Sequence, residues 1–144
     1  MTQVTLVDAG TKWVTFSPTV AGFGAAPTAT AYYMRVGSTM ILKMRIRVNN
    51  TSGAGAYTVS MPTGFNIDSS KQPLADIVAS AAWSDTVTTG ATFAGRVYLN
   101  NSTSGPFQFY GGNGQAVWSA SVPSAVVVGT TISVEMTLPI LEWA

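Results

Sequence analysis

Apolar side chains fill every even position from 40 to 48: Met40, Leu42, Met44, Ile46 and Val48. Ile41, Lys43, Arg45 and Arg47 occupy the odd positions between them. A repeat of two is that of a half-buried strand, whose successive side chains point to opposite faces. On a helix, Met40 and Leu42 would point about 200° apart and no single apolar stripe would form. Residues 49–55 are rich in Asn, Ser and Gly, which supply turn conformations. Tyr57, Val59 and Met61 alternate again, so 40–61 reads as a hairpin, ended by Pro62 and Gly64.

The same grammar recurs along the chain. "TKWVTF" (11–16) sets Trp13 on one face and Val14 and Phe16 on the other, and "TAYYMRV" (30–36) runs through Gly37 into the strand at 40. "TFAGRVYL" (92–99) places Phe93, Val97 and Leu99 on one face and Arg96 and Tyr98 on the other. In "PFQFYG" (106–111), Phe107 and Phe109 point inward. In "TISVEMTLPI" (131–140), Ile132, Val134, Met136 and Leu138 point inward, with Thr131, Ser133, Glu135 and Thr137 outward. "ADIVASAAWSD" (75–85) tolerates a helical turn, since Ala is permissive, but Ile77, Ala79, Ala81 and Trp83 alternate as on a strand, and a strand is the better reading. Residues 66–74 read as a loop. The result is about eight short strands separated by turns, the pattern of an all-β sandwich or barrel. One long connection, 61–75, suits a link from sheet to sheet. An antiparallel β-sandwich of jelly-roll type is the natural eight-stranded candidate, and periodicity alone does not separate it from an immunoglobulin-like sandwich.

No linker, long repeat or charge run divides the 144 residues. They read as one domain, 1–144, with residues 1–10 as a candidate N-terminal extension. A chain of this size buries roughly 70 % of its unfolded surface and needs no staple. No apolar run approaches the roughly twenty residues of a membrane span, and "MTQVTLVDAG" has no basic region leading into an apolar core, so it does not read as a signal peptide.

Composition adds two constraints. Cysteine and histidine are both absent, which removes thiolate metal sites and the commonest ligand and general base. Charged residues make up only 9 % of the chain, against about a quarter in ordinary domains. Polar Ser, Thr, Asn and Gly must solvate the surface, or partner copies must cover much of it. A net charge of +1 leaves no electrostatic footprint for nucleic acid.

Catalytic patterns are absent. "GFGAAP" (22–27) and "GGNGQ" (111–115) lack the Gly-Lys-Ser/Thr of a phosphate loop and read as turns. The carboxylates Asp8, Asp68, Asp76, Asp85, Glu135 and Glu142 are scattered, with no glycosidase pair. "NIDSS" (66–70) supplies Asn66, Asp68 and Ser70 but not the rest of a calcium loop. Asn49-Asn50-Thr51 and Asn101-Ser102-Thr103 match the glycosylation sequon and read as turn residues. The expectation is a protein that is not an enzyme, with no cofactor and no metal.

The row Lys43, Arg45 and Arg47 has three readings: a solvated outer face, ion pairing across strands or subunits with Glu135, or protection of a sheet edge. These four residues are therefore candidates for a subunit interface or ion pairs. Tyr98 and Tyr110 lie opposite their strands' apolar sets, and Trp118 sits in a Gly- and Ser-rich region. Surface Tyr and Trp mark interfaces and stack on sugar rings. With the loops 100–105 and 111–114, they make Tyr98, Asn101, Tyr110 and Asn113 the candidates for receptor contact.

"KWVTFSPTV", "ATAYYMRVGSTMILKMRIRV", "VSMPTGFNID" and "LPILEW" occur in a characteristic order. In it the chain resembles the C-terminal receptor-binding domains of bacteriophage tail-fibre and head-fibre proteins. The matching positions are Trp13, Phe16 and Pro18; Tyr33, Arg35, Gly37 and Thr39; Met61, Pro62 and Gly64; and Pro139, Ile140 and Trp143. The resemblance spans nearly the whole chain, in short and degenerate motifs. It implies a homotrimer of jelly rolls akin to C1q and tumour necrosis factor heads, located on the virion and assembled in the host cytoplasm. It implies attachment to a bacterial cell-surface glycan or protein and contact with other virion proteins; charge and hydropathy separately predict neither nucleic-acid binding nor membrane insertion. Fibre tips usually follow a stalk, whereas no heptads or collagen repeats occur here. The alternatives are a capsid decoration or head-fibre protein with a structural role, and a carbohydrate-binding module.

Overall fold

The computed structural model describes residues 12–74, 76–85, 90–111 and 116–144. Nine strands form one antiparallel sheet: β1 Val14–Phe16, β2 Val20–Ala21, β3 Thr28–Val36, β4 Thr39–Arg47, β5 Thr58–Val59, β6 Asp76–Asp85, β7 Ala91–Leu99, β8 Phe107–Gly111 and β9 Thr131–Pro139. Their order across the sheet is β1-β3-β4-β9-β6-β7-β8-β5-β2. Only three residues, 17–19, separate the two edge strands along the chain. The sheet must therefore curl until its edges approach, and its two halves face each other across one core, a sandwich-like all-β fold. Thr19 extends the β2–β5 pairing by one residue: its N–H donates to Ser60 Oγ at 2.8 Å, and its carbonyl accepts from the Ser60 N–H at 2.9 Å. Edge strands of three and two residues leave little unpaired backbone to template aggregation.

The regular alternation of β4 and β9 is explained by their pairing. Met40 faces Leu138, Leu42 faces Met136, Met44 faces Val134 and Ile46 faces Ile132. All eight are buried, and a fully buried aliphatic side chain of this kind contributes about 1.5–3 kcal/mol. From the opposite half come Val97, Leu99, Phe107, Phe109 and Val59.

Two sequence expectations are corrected here. The segment after the 49–55 turn does not fold back on β4 as a hairpin. β5 pairs instead with β8 and β2, while β9 takes the free edge of β4. The turn residues do something else: the loop at 50–56 packs against Gly22 and Gly24, so close that a Cβ at Gly22 would lie 2.5 Å from the Ala56 carbonyl oxygen. This embrace drives Phe23 into the core, stacked on Tyr57 at 4.1 Å. The second correction is Trp118, which is fully buried rather than on the surface. Its indole donates from Nε1 to the Gly111 carbonyl at 3.0 Å and stacks on Phe109.

Segments far apart in the sequence converge at one end of the sheet. Phe16, Tyr33, Phe65 and Trp143 form a chain of ring contacts 5.0–6.5 Å apart. The Arg35 guanidinium lies 5.1 Å over the Trp143 ring and donates from Nε to the Gly37 carbonyl. Glu142 clasps Asn66, accepting from its backbone N–H at 2.8 Å and from Nδ2 at 2.7 Å. Segments distant in sequence are thus tied together by packing around the C-terminal 3-10 turn Leu141–Trp143. Among the described residues, no helix is long and apolar enough to cross a membrane.

Candidate functional site

Strand pairing turns isolated outward residues into rows. Thr15, Tyr32, Lys43, Glu135, Ser80, Arg96 and Tyr110 lie side by side across seven strands, from β1 to β8. The next row reads Thr30, Arg45, Ser133, Ala82 and Ala94. Tyr98 belongs to a third row, between Ile77 and Gln108. Long side chains therefore stand at both ends of a strip whose middle carries the small residues Ser133, Ala82, Ala94 and Ser80, with Glu135 beside Ser80 and paired to Lys43.

The consequence is a groove on the outer face. A depression of about 710 Å³ is lined by Ile77, Ser80, Ala94, Arg96, Tyr98 and Tyr110. A second, of about 430 Å³, adjoins it at Ser80 and reaches Lys43, Ser133 and Glu135. The larger has the volume of a small-molecule or oligosaccharide subsite. Tyr98 and Tyr110 meet edge to face, with centroids 5.4 Å apart. The Tyr110 hydroxyl donates to Gln108 Oε1 at 3.2 Å, which holds the ring in place. Gly95 and Gly111 complete the floor beside these rings. The groove offers aromatic faces, a guanidinium and hydroxyls, a set suited to binding a polyhydroxylated or anionic ligand.

At the other end, Lys43 Nζ lies 3.5 Å from Glu135 Oε2 and 5.2 Å from the Trp13 ring. Arg45 and Arg47 project from the same strand. β4 lies between β3 and β9, so the reading of these cations as guards of a sheet edge is corrected: β4 is central.

Of the residues singled out from sequence, Tyr98 and Tyr110 come together in the groove. Asn101 does not join them. It sits past the end of β7 in a left-handed turn, φ 48°, its N–H bonded to the Leu99 carbonyl. That loop folds toward Asn66 and Ile67 instead, through the Thr103 carbonyl at 2.7 Å from the Ile67 N–H. Asn113 lies outside the described residues, as does most of the 111–114 loop. Sequence reasoning passed over Ser80 and Ile77 and did not place Arg96 in a site. Alternation marked Arg96 as outward, but its position beside Tyr110 depends on a register that periodicity does not carry.

Asp68, considered above for a cation loop, is used internally. It accepts from Ser70 Oγ at 2.6 Å and pairs with Lys71 Nζ at 2.9 Å, which holds its carboxyl below the usual carboxylate range. Among the described residues, no three acidic side chains gather to hold a metal ion. No protein-family model matches the chain, and no curated protein or solved structure matches it either.

Proposed function

We propose that this chain is a bacteriophage fibre domain that attaches the virion to a glycan or protein of the bacterial surface. The observation that carries the reading is the groove. Tyr98, Tyr110 and Arg96 are presented outward on the middle of a rigid sheet, where their geometry is fixed before a ligand arrives. The order of fibre-like motifs in the sequence supports it.

The same reading assigns a homotrimeric, jelly-roll head. Its support is the β1–β3 flank, where Trp13, Tyr32 and Val36 are 44 %, 39 % and 53 % exposed in a chain with very few charges. Subunit contact there would cover apolar surface and leave the β6–β7–β8 groove facing outward. Three copies of a weak site would gain avidity through effective concentration.

The test is attachment of the labelled protein to a panel of bacterial cells, with Tyr98→Ala/Tyr110→Ala beside it and oligomeric state measured by light scattering. Attachment that the double variant abolishes, by a trimer, is the expected result. Binding to empty capsids but to no cell would favour a decoration role. A monomer with sugar affinity would favour a free carbohydrate-binding module.

A further inference from the structure

We infer that the outer face of β4-β9-β6-β7 accepts an acidic polysaccharide. Its carboxylates would be held by Arg45 and Arg47 at one side and Arg96 at the other, with sugar rings over the small-residue floor between them. The inference rests on the adhesion reading above and names its ligand class.

The chain has seven Lys and Arg residues, and four of them, Lys43, Arg45, Arg47 and Arg96, point out of this one face. Lys43 is matched by Glu135. Among the described residues, no carboxylate lies within ion-pair distance of the three arginines. An excess of three cations on one face of so weakly charged a protein is complementary to an anion.

Spacing then sets the kind of anion. Neighbouring strands lie about 4.8 Å apart, so the three intervals from β4 to β7 place the strand of Arg45 and Arg47 roughly 14 Å from that of Arg96. A single small anion engages one end only, whereas a chain of several sugar rings spans both. The floor of Ser133, Ala82, Ala94 and Ser80 carries small side chains and offers two hydroxyls, and Glu135, paired to Lys43, borders it. Tyr98 and Tyr110 provide ring faces where the groove deepens. Nucleic acid fits less well, because tight phosphate-backbone binding engages about six to ten contacts, and this face supplies three unmatched cations.

The experiment titrates the intact protein with oligomers of polygalacturonate, hyaluronate and polysialate, and with the methyl esters of each, which keep the rings and remove the charge. A single-stranded oligonucleotide is titrated in parallel. The variants are Arg96→Gln and Arg45→Gln/Arg47→Gln, all at exposed positions, with folding checked by circular dichroism. The expected result is binding of at least one acidic oligomer, with its ester at least about tenfold weaker and each variant weakened roughly tenfold. Esters that bind as well as the acids, an oligonucleotide that binds more tightly than every glycan, or variants that bind unchanged would each overturn the inference. So would failure of all three acidic oligomers. In any of those cases, cell attachment abolished by Tyr98→Ala/Tyr110→Ala would leave the adhesion reading standing, and its absence would remove both.

Discussion

The indole of Trp118 occupies the space that a side chain at position 95 would need. Gly95 belongs to the inward row Met44, Val134, Ala81, Gly95, Gly111, which thins from large residues to none. The vacated volume is filled by Trp118, and a Cβ at Gly95 would collide with Cζ2 of its ring and lie 2.6 Å from the Tyr110 carbonyl oxygen. A rigid, fully buried ring does not yield cheaply.

Gly95→Ala is therefore expected to destabilise the protein by about 1–3 kcal/mol, the usual cost of overpacking. Trp118→Ala should cost more, about 3–5 kcal/mol, because it empties the same space. Denaturant unfolding with an unchanged slope would check both. A Gly95→Ala protein as stable as wild type would show that the indole does not lie where it is described.

Tyr57 is the opposite case, a buried group whose hydroxyl has no partner among the described residues. Burial pushes its pKa up to about 12. Tyr57→Phe keeps the stack on Phe23 and removes the unsatisfied hydroxyl, so stability should stay level or rise by up to about 1 kcal/mol. A loss beyond that in thermal unfolding would mean the hydroxyl has a partner in the native protein.

Acid should weaken the fold through two carboxylates. Ser70 and Lys71 hold Asp68 below its ordinary 3.8, and the two donors of Asn66 hold Glu142 below its ordinary 4.5. Both folded values are depressed, so in this window the unfolded chain binds more protons than the native one, and stability rises with pH. The contribution is fully present above about 4.5 and is lost as pH falls through the folded values. Melting temperatures measured from neutral to strongly acidic pH should fall over that interval, and Glu142→Gln should flatten the curve. A profile identical in wild type and Glu142→Gln would count against the clasp on Asn66.

The Lys43–Glu135 pair is expected to matter little for stability. Its side chains are 51 % and 62 % exposed, and exposed pairs typically contribute 0–1 kcal/mol, less in salt. A double-mutant cycle with Lys43→Ala and Glu135→Ala should give a coupling of about 0.5 kcal/mol or less. A larger, salt-resistant value would mean that the pair is buried in an assembly.

Much of the fold could be read in the chain itself. The alternation in β4, β7, β8 and β9 correctly assigned the inward and outward side chains, including Arg96, Tyr98 and Tyr110 as outward residues. Whether a strand buries one face is a local property, written in a period of two. The absence of Cys and His and the low charge are likewise properties of the chain that folding does not change.

Which residues stand side by side was settled by the packing of the whole chain. Neither the insertion of β9 between β4 and β6 nor the escape of β5 from β4 to β8 leaves any mark on the period of those strands. The groove depends on both, since it exists only where Arg96 and Tyr110 share a row with Ser80, Glu135 and Lys43. Trp118 escapes sequence reading for the same reason: it lies in a Gly- and Ser-rich region, but its neighbours in space are Gly95 and Phe109. Pairing and register arise from contacts between residues far apart in the chain, and those contacts are set by the competition of all strands for one core.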